Sequence, residues 1–174
     1  MSRPNHPKCL LILSEDDAYR DLANGFAEYF AIARRRISVP PPAKGGGRKL
    51  LKLLQEKVEA VRKNLYSHVL LLFDLDGKPE HNLGKILSQI PDDIKDRVYV
   101  LCALDEAEYI KSDLRLSKFE AIGEQLAASC DQGTYNHPSA PWQCSQLKHN
   151  KAELGRLAGA VRPFIFLPAL GPQP

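Results

Sequence analysis

Residues 9–13 are an unbroken apolar run that ends in Ser14-Glu15-Asp16-Asp17. Apolar side chains on successive positions, without alternation, predict a strand covered on both faces, the pattern of a parallel sheet. From 16 to 32 the spacing changes. Tyr19, Leu22, Ala23, Phe26, Tyr29 and Phe30 recur at intervals of three and four, which predicts a helix capped by Ser14, Asp16 or Asp17. A second strand is expected over 34–39, stopped by Pro40-Pro41-Pro42. Gly45-Gly46-Gly47 then opens onto a helix over 49–63, with Leu50, Leu51, Leu54, Val58 and Val61 on its apolar side.

The clearest strand covers 68–73 and ends in Asp74-Leu75-Asp76-Gly77; a short helix is expected over 82–89. A further buried strand over 97–102 leads into a helix that runs to Lys111. Strand and helix alternate four times. Right-handed crossovers then give an α/β fold whose parallel sheet of about four strands carries helices on both faces. Helices over 118–129 and 150–161 follow, separated by a turn-rich stretch over 131–141. Trp142 and Tyr135 are read as packing residues there. Residues 164–167 are expected to add a strand or to pack as an apolar tail. The organisation expected is one domain over 1–168, with a core over 8–113 and a helical extension over 114–168, then a frayed tail over 169–174.

Composition narrows this little. At 174 residues, 44% hydrophobic and 26% charged, the chain is globular rather than disordered. A net charge of +3 does not identify a partner. Cys9, Cys102, Cys130 and Cys144 form no paired metal-binding spacing. The first residues are polar, the apolar run at 9–13 is too short for an export signal, and no stretch is long enough for a membrane span. A cytoplasmic protein with reduced thiols is expected.

The acids change the picture. In an open parallel sheet, ligands bind outside the carboxyl ends of the strands. Glu15 follows the first strand, and Asp74 and Asp76 follow the third. Alternate residues of an extended segment point the same way, so the Asp-x-Asp spacing aims both carboxylates at one point. Gathered acids repel and resist ionisation, and a hard divalent cation, Mg²⁺ or Mn²⁺, resolves the conflict. Glu106 and Glu108 stand at the next strand end as candidates for a second ion. Asp16, Asp17 and Asp105 are read instead as helix caps. Lys44, Arg48 and Lys49 flank the glycine loop at a helix start, where free N–H groups favour anions. Lys78 and His81 follow the Asp-x-Asp. These five are the candidate phosphate-binding residues. Arg34-Arg35-Arg36 is a further candidate for a nucleic-acid backbone.

Three families place acids and Mg²⁺ in this way. Residues 11–17 resemble the opening of a response-regulator receiver, but Ala103 stands where that family needs Ser or Thr. Phe73-Asp74-Leu75-Asp76-Gly77 resembles the nucleophile motif of haloacid-dehalogenase-like phosphatases, though it falls mid-chain and Lys78 follows it. The broadest resemblance, over 8–113, is to the Toprim fold of topoisomerases, primases and overcoming-lysogenization-defect nucleases, in its small stand-alone bacterial branch. It is carried by Ser14-Glu15-Asp16-Asp17, Gly45-Gly46-Gly47, Leu72-Phe73-Asp74-Leu75-Asp76-Gly77 and Asp105-Glu106-Ala107-Glu108. Asp16 stands where that family usually has Gly.

The Toprim resemblance implies a Mg²⁺-dependent nuclease acting on DNA or RNA. Asp74 and Asp76 would hold the ion, and Glu15 would bind a second ion or move a proton. It also implies a possible role as a subunit beside an ATPase, with the helix over 150–161 and residues 164–167 as a docking surface. A non-catalytic metal-binding subunit remains the alternative.

Overall fold

The computed structural model describes residues 7–65 and 67–168, and for residues 79–81 the backbone alone. The tail over 169–174 lies outside the described residues. Four strands, β1 (Cys9–Ser14), β2 (Ile37–Ser38), β3 (Ser67–Asp74) and β4 (Val98–Ala103), form a single sheet. Its order is β2-β1-β3-β4 and every pairing is parallel. The α/β class, the all-parallel sheet and the helices on both faces agree with the sequence reading and with a Rossmann-like fold.

Alternate residues of each strand feed two cores. Leu10, Ile12, Leu70, Leu72 and Leu101 pack beneath α1 (Asp17–Glu28), α5 (Phe119–Asp131) and α6 (Lys151–Ile165). Leu13, Val69, Leu71, Phe73 and Val100 pack beneath α2 (Gly46–Lys63) and α3 (Pro79–Ser88). This double coverage is why the strands carry no polar alternation. A fully buried Leu or Phe contributes roughly 1.5–3 kcal/mol, so the central strands supply much of the stability. Helix α1 reaches its face only by close contact with α5. A Cβ at Gly25 would stand 2.0 Å from the Glu120 carbonyl oxygen, and one at Gly123 2.0 Å from that of Leu22.

The connection from β1 to β2 runs on the α1 face, whereas those from β2 to β3 and from β3 to β4 run on the α2–α3 face. The chain therefore reverses direction between β1 and β3, and at such a switch point the loops diverge and leave a crevice at the carboxyl ends.

The outer edge of β4 is not open. At helical spacing along α6 and the turn before it, Asn150, Glu153 and Arg156 substitute for a neighbouring strand. Asn150 accepts from the Cys102 N–H at 3.1 Å and donates to its carbonyl at 2.8 Å. Glu153 accepts from the Val100 N–H at 2.9 Å, and Arg156 donates to the Val98 carbonyl at 2.5 Å. Covering an edge in this way blocks pairing with another chain. The apolar side of α6, through Leu154, Leu157, Val161 and Ile165, is likewise used inside the fold, leaving little of it for the docking surface expected there.

Several boundaries differ from the sequence reading. Helix α1 stops at Glu28 rather than near Ile32, because the segment around Phe166 pairs with residues 31–33. Ala33 donates to the Ile165 carbonyl at 2.6 Å and Leu167 to that of Ala31 at 2.7 Å. Residues 164–167 thus form the end of α6 and a bridge between Ile32 and Phe166, not a strand. The expected second strand shrinks to two residues, since Arg34–Arg36 is a 3-10 turn. Helix α2 begins three residues early, with glycines in its first turn. Trp142 is buried and donates to the Leu126 carbonyl at 3.2 Å, a packing role. All four cysteines are free thiols, and Cys102 and Cys130 are buried.

Candidate functional site

Glu15 and Asp74 meet at the switch point. Pairing between β1 and β3 runs to Ser14 opposite Leu72, and the Glu15 N–H adds a last backbone bond to the Leu72 carbonyl at 3.0 Å. Beyond it the Glu15 side chain replaces a strand, since its Oε2 accepts from the Asp74 N–H at 2.9 Å. The loop entering α2 closes over the same end, with Lys44 donating to the Glu15 carbonyl at 2.8 Å. On the α1 side, the buried Tyr19 hydroxyl donates to Asp74 Oδ1.

The Asp-x-Asp segment is not extended, contrary to the sequence expectation. Leu75 is buried and bonds the Ala103 carbonyl at 3.0 Å, and the chain then turns, with Lys78 donating back to the Leu75 carbonyl at 2.9 Å. The two central residues, Asp76 and Gly77, both have left-handed φ, +51° and +63°. Asp and Gly are residues that tolerate such a turn. Asp76 still reaches the same opening as Asp74.

Glu15, Asp74 and Asp76 all line a cleft of about 450 Å³ whose other wall is built from the first turn of α2 and from α3. None of the three is ion-paired among the described residues. Burial raises the Glu15 pKa, an effect that the Asp74 N–H opposes and the charges of Asp16 and Asp76 reinforce. Burial pushes Asp74 up to about 7; the Tyr19 hydroxyl pulls it back, and Glu15, Asp16 and Asp76 add repulsion. Partial burial is the main cause in both, and the neighbouring negative charge adds to it.

The donor set suits a hard cation, being all carboxylate oxygen. Glu15 and Asp74 each fix one oxygen on a protein donor, and among the described residues no donor meets the other. Among the described residues no three Asp, Glu, His or Cys side chains converge as a ready ligand set. An ion here would take at most two protein carboxylates, with water and substrate oxygens completing its shell, as Mg²⁺ commonly does.

The other expected residues divide. Arg48 lines the cleft. Lys44 pairs instead with Asp17 at 2.9 Å. Lys49 and Lys78 are exposed and outside the cleft lining. The His81 side chain lies outside the described residues. Glu106 and Glu108 are exposed at the start of α4 (Ala107–Leu114) and do not line the cleft; Glu108 pairs with Lys111 at 2.8 Å. Asp16 caps α1 by accepting from the Tyr19 N–H. Arg34–Arg36 precedes β2 directly. It therefore sits at the amino edge of the sheet, opposite the cleft.

The sequence reading passed over several participants. Tyr19 reads as one apolar position among many. Asn82, Lys85, Ile86 and Gln89 all line the cleft, and their spacing of three and four residues is the signal that puts them on one face of α3. Gln146 acts from behind. Its side chain accepts from the Asp105 N–H at 2.9 Å and donates to Asp105 Oδ2 at 3.0 Å, and its carbonyl accepts from the Leu104 N–H at 3.1 Å. Leu104 in turn accepts from the Gly77 N–H at 3.0 Å, so the Asp76-Gly77 turn rests on a loop held by the C-terminal extension.

No protein-family model matches the chain, and no curated protein or solved structure matches it. Among the described residues, no helix is long and apolar enough to cross a membrane.

Proposed function

We propose that the protein is a metal-dependent nuclease, resembling the Toprim enzymes, that hydrolyses phosphodiester bonds in the cleft between β1 and β3. The observation that carries this reading is the presence in one cleft at the switch point of three carboxylates, from two neighbouring strand ends, that have no ion pair among the described residues. Asp74 and Asp76 hold Mg²⁺ or Mn²⁺, and Tyr19 orients Asp74 through its hydroxyl. Bound there, the ion supplies charge stabilisation for the attacking and leaving oxygens of the phosphodiester. Glu15, with its raised pKa, is suited to take the proton of the attacking water. The new bond is from water oxygen to phosphorus; the bond to the leaving oxygen breaks, and that oxygen is protonated from solvent.

The receiver-like alternative finds less support, because α6 covers the β4 edge where a fifth strand would pair. Work beside an ATPase remains compatible with the nuclease reading. The test is cleavage of end-labelled DNA and RNA oligonucleotides with Mg²⁺ or Mn²⁺. Wild type should cleave, and Asp76→Ala, at an exposed turn position, should lose cleavage while melting as wild type does. Undiminished cleavage by that variant refutes the assignment.

A further inference from the structure

Several basic side chains pair with an acid: Lys44 with Asp17, Arg62 with Asp93, Lys111 with Glu108 and Arg156 with Glu153. Arg48 and Lys85 are the basic side chains that line the cleft holding Glu15, Asp74 and Asp76, and neither has an acidic partner among the described residues. Opposite charges facing one opening without pairing leave space for a ligand between them. With a cation on the acids, the basic wall calls for an anion.

Two contacts fix where that wall stands. Helices α2 and α3 touch at Gly47 and Ile86, where a Cβ on the glycine would lie 3.3 Å from Ile86 Cδ1. Arg48 and Lys85 are the chain neighbours of these two residues, so the cations rise from either side of one helix contact. Asn82, one turn before Lys85, donates to the Leu75 carbonyl at 2.8 Å. That bond ties α3 to the Asp-x-Asp turn, and with it the position of Lys85 relative to Asp76.

We propose that Arg48 and Lys85 form a two-sided clamp for the backbone phosphates of a single-stranded oligonucleotide, which places one phosphate against the acidic wall. The function of that phosphate as the scissile one rests on the nuclease reading; the clamp itself does not. A single strand is favoured over a duplex by size and by charge. A cleft of about 450 Å³ falls in the roughly 300–1,000 Å³ range of small-molecule sites. Duplex binding commonly draws on a wider set of phosphate contacts, and the Arg34–Arg36 run lies at the wrong end of the sheet to extend this one.

The experiment is fluorescence anisotropy of a fluorescein-labelled single strand, titrated at several KCl concentrations with Ca²⁺ in place of Mg²⁺. Arg48→Gln and Lys85→Gln should each weaken binding. Each should also reduce the slope of log affinity against log salt by about 0.7, the value for one phosphate of a single strand left without its cationic side chain. Lys85→Arg should retain both, and Lys95→Gln, beside the amino end of β4, should match wild type. A duplex of the same length should bind more weakly. No binding by wild type, wild-type affinity and slope in both Gln variants, or preference for the duplex would overturn the proposal. Cleavage in Mg²⁺ or Mn²⁺ is scored separately. Loss of binding in the variants of a protein that never cleaves keeps the clamp and refutes the nuclease, whereas cleavage with unaltered binding does the reverse.

Discussion

The main-chain N–H of Asp74 donates to the Glu15 carboxylate at 2.9 Å across a separation of 59 residues. This bond extends, through a side chain, the pairing of two strands that are neighbours in the sheet but not in the chain. It also fixes one oxygen of Glu15 and gathers negative charge at a partly buried point. The consequences for Asp74 can be measured without any assumption about catalysis.

In the unfolded chain Asp74 titrates near its ordinary 3.8, and in the fold burial moves it to about 7. Between those values the native state binds a proton that the unfolded state has released. Stability therefore falls as pH rises through that window, and the penalty is complete above 7. Asp74→Asn should remove it, raising stability at pH 8 by about 1 kcal/mol, a figure kept small because the group is partly exposed. Below pH 3.8 the substitution should be neutral. Urea unfolding at pH 8 and at pH 3.5 checks the difference; equal effects at both would count against a raised Asp74.

A cation at these carboxylates needs them ionised. Its affinity should therefore fall by about tenfold per pH unit below 7, where Asp74 holds a proton, and level off above. Calorimetric titration of Mn²⁺ in buffers of different ionisation enthalpy would count the proton released. A pH-independent affinity would mean that Asp74 is not a ligand.

The three long strands and their succession along the chain were legible because burial on two faces leaves continuous apolar runs, and because acids directly after such runs mark the ligand end of a parallel sheet; their order in the sheet was not. Glu15, Asp74 and Asp76, which line the cleft, were singled out in this way, and Arg48 from the glycine loop at a helix start. What escaped depends on long-range contact. Phe166 and Leu167 end α1 early by pairing with residues 31–33, which no local pattern encodes. Asp76 occupies a left-handed turn because Leu75 is drawn into the core, so alternation along an extended chain was the wrong rule there. Glu106 and Glu108 have the right chain position, but α4 carries them outside the cleft lining. Lys85 was readable in principle from the face it shares with Asn82 and Gln89.

The contact between α1 and α5 predicts opposite outcomes for two similar substitutions. Gly25→Ala would push a methyl group to 2.0 Å from a backbone oxygen, which no rotamer change relieves. It should cost about 3 kcal/mol or more. Gly155→Ala, in α6 with nothing within 4 Å of the new carbon, should instead stabilise by about 0.4–1 kcal/mol. Chemical denaturation separates them by sign.

Gln146 offers the sharpest test of how the extension supports the site. It is buried, and its amide satisfies both the N–H and the carboxylate of Asp105. Gln146→Ala strands the Asp105 N–H and should cost about 1–3 kcal/mol. A general loss of stability would speed hydrogen exchange only through global opening. A local role predicts more, because the Leu75 and Gly77 amides bond the Ala103 and Leu104 carbonyls in the same loop. Those two amides should exchange faster in the variant than β1 amides do, beyond the change in global stability. Gln146→Glu sets a second carboxylate against Asp105 and should be worse at pH 8 than at pH 5, since protonation relieves the repulsion. Uniform acceleration across the sheet, with no pH dependence in the Glu variant, would reduce Gln146 to an ordinary core residue and detach the extension from the Asp76-Gly77 turn.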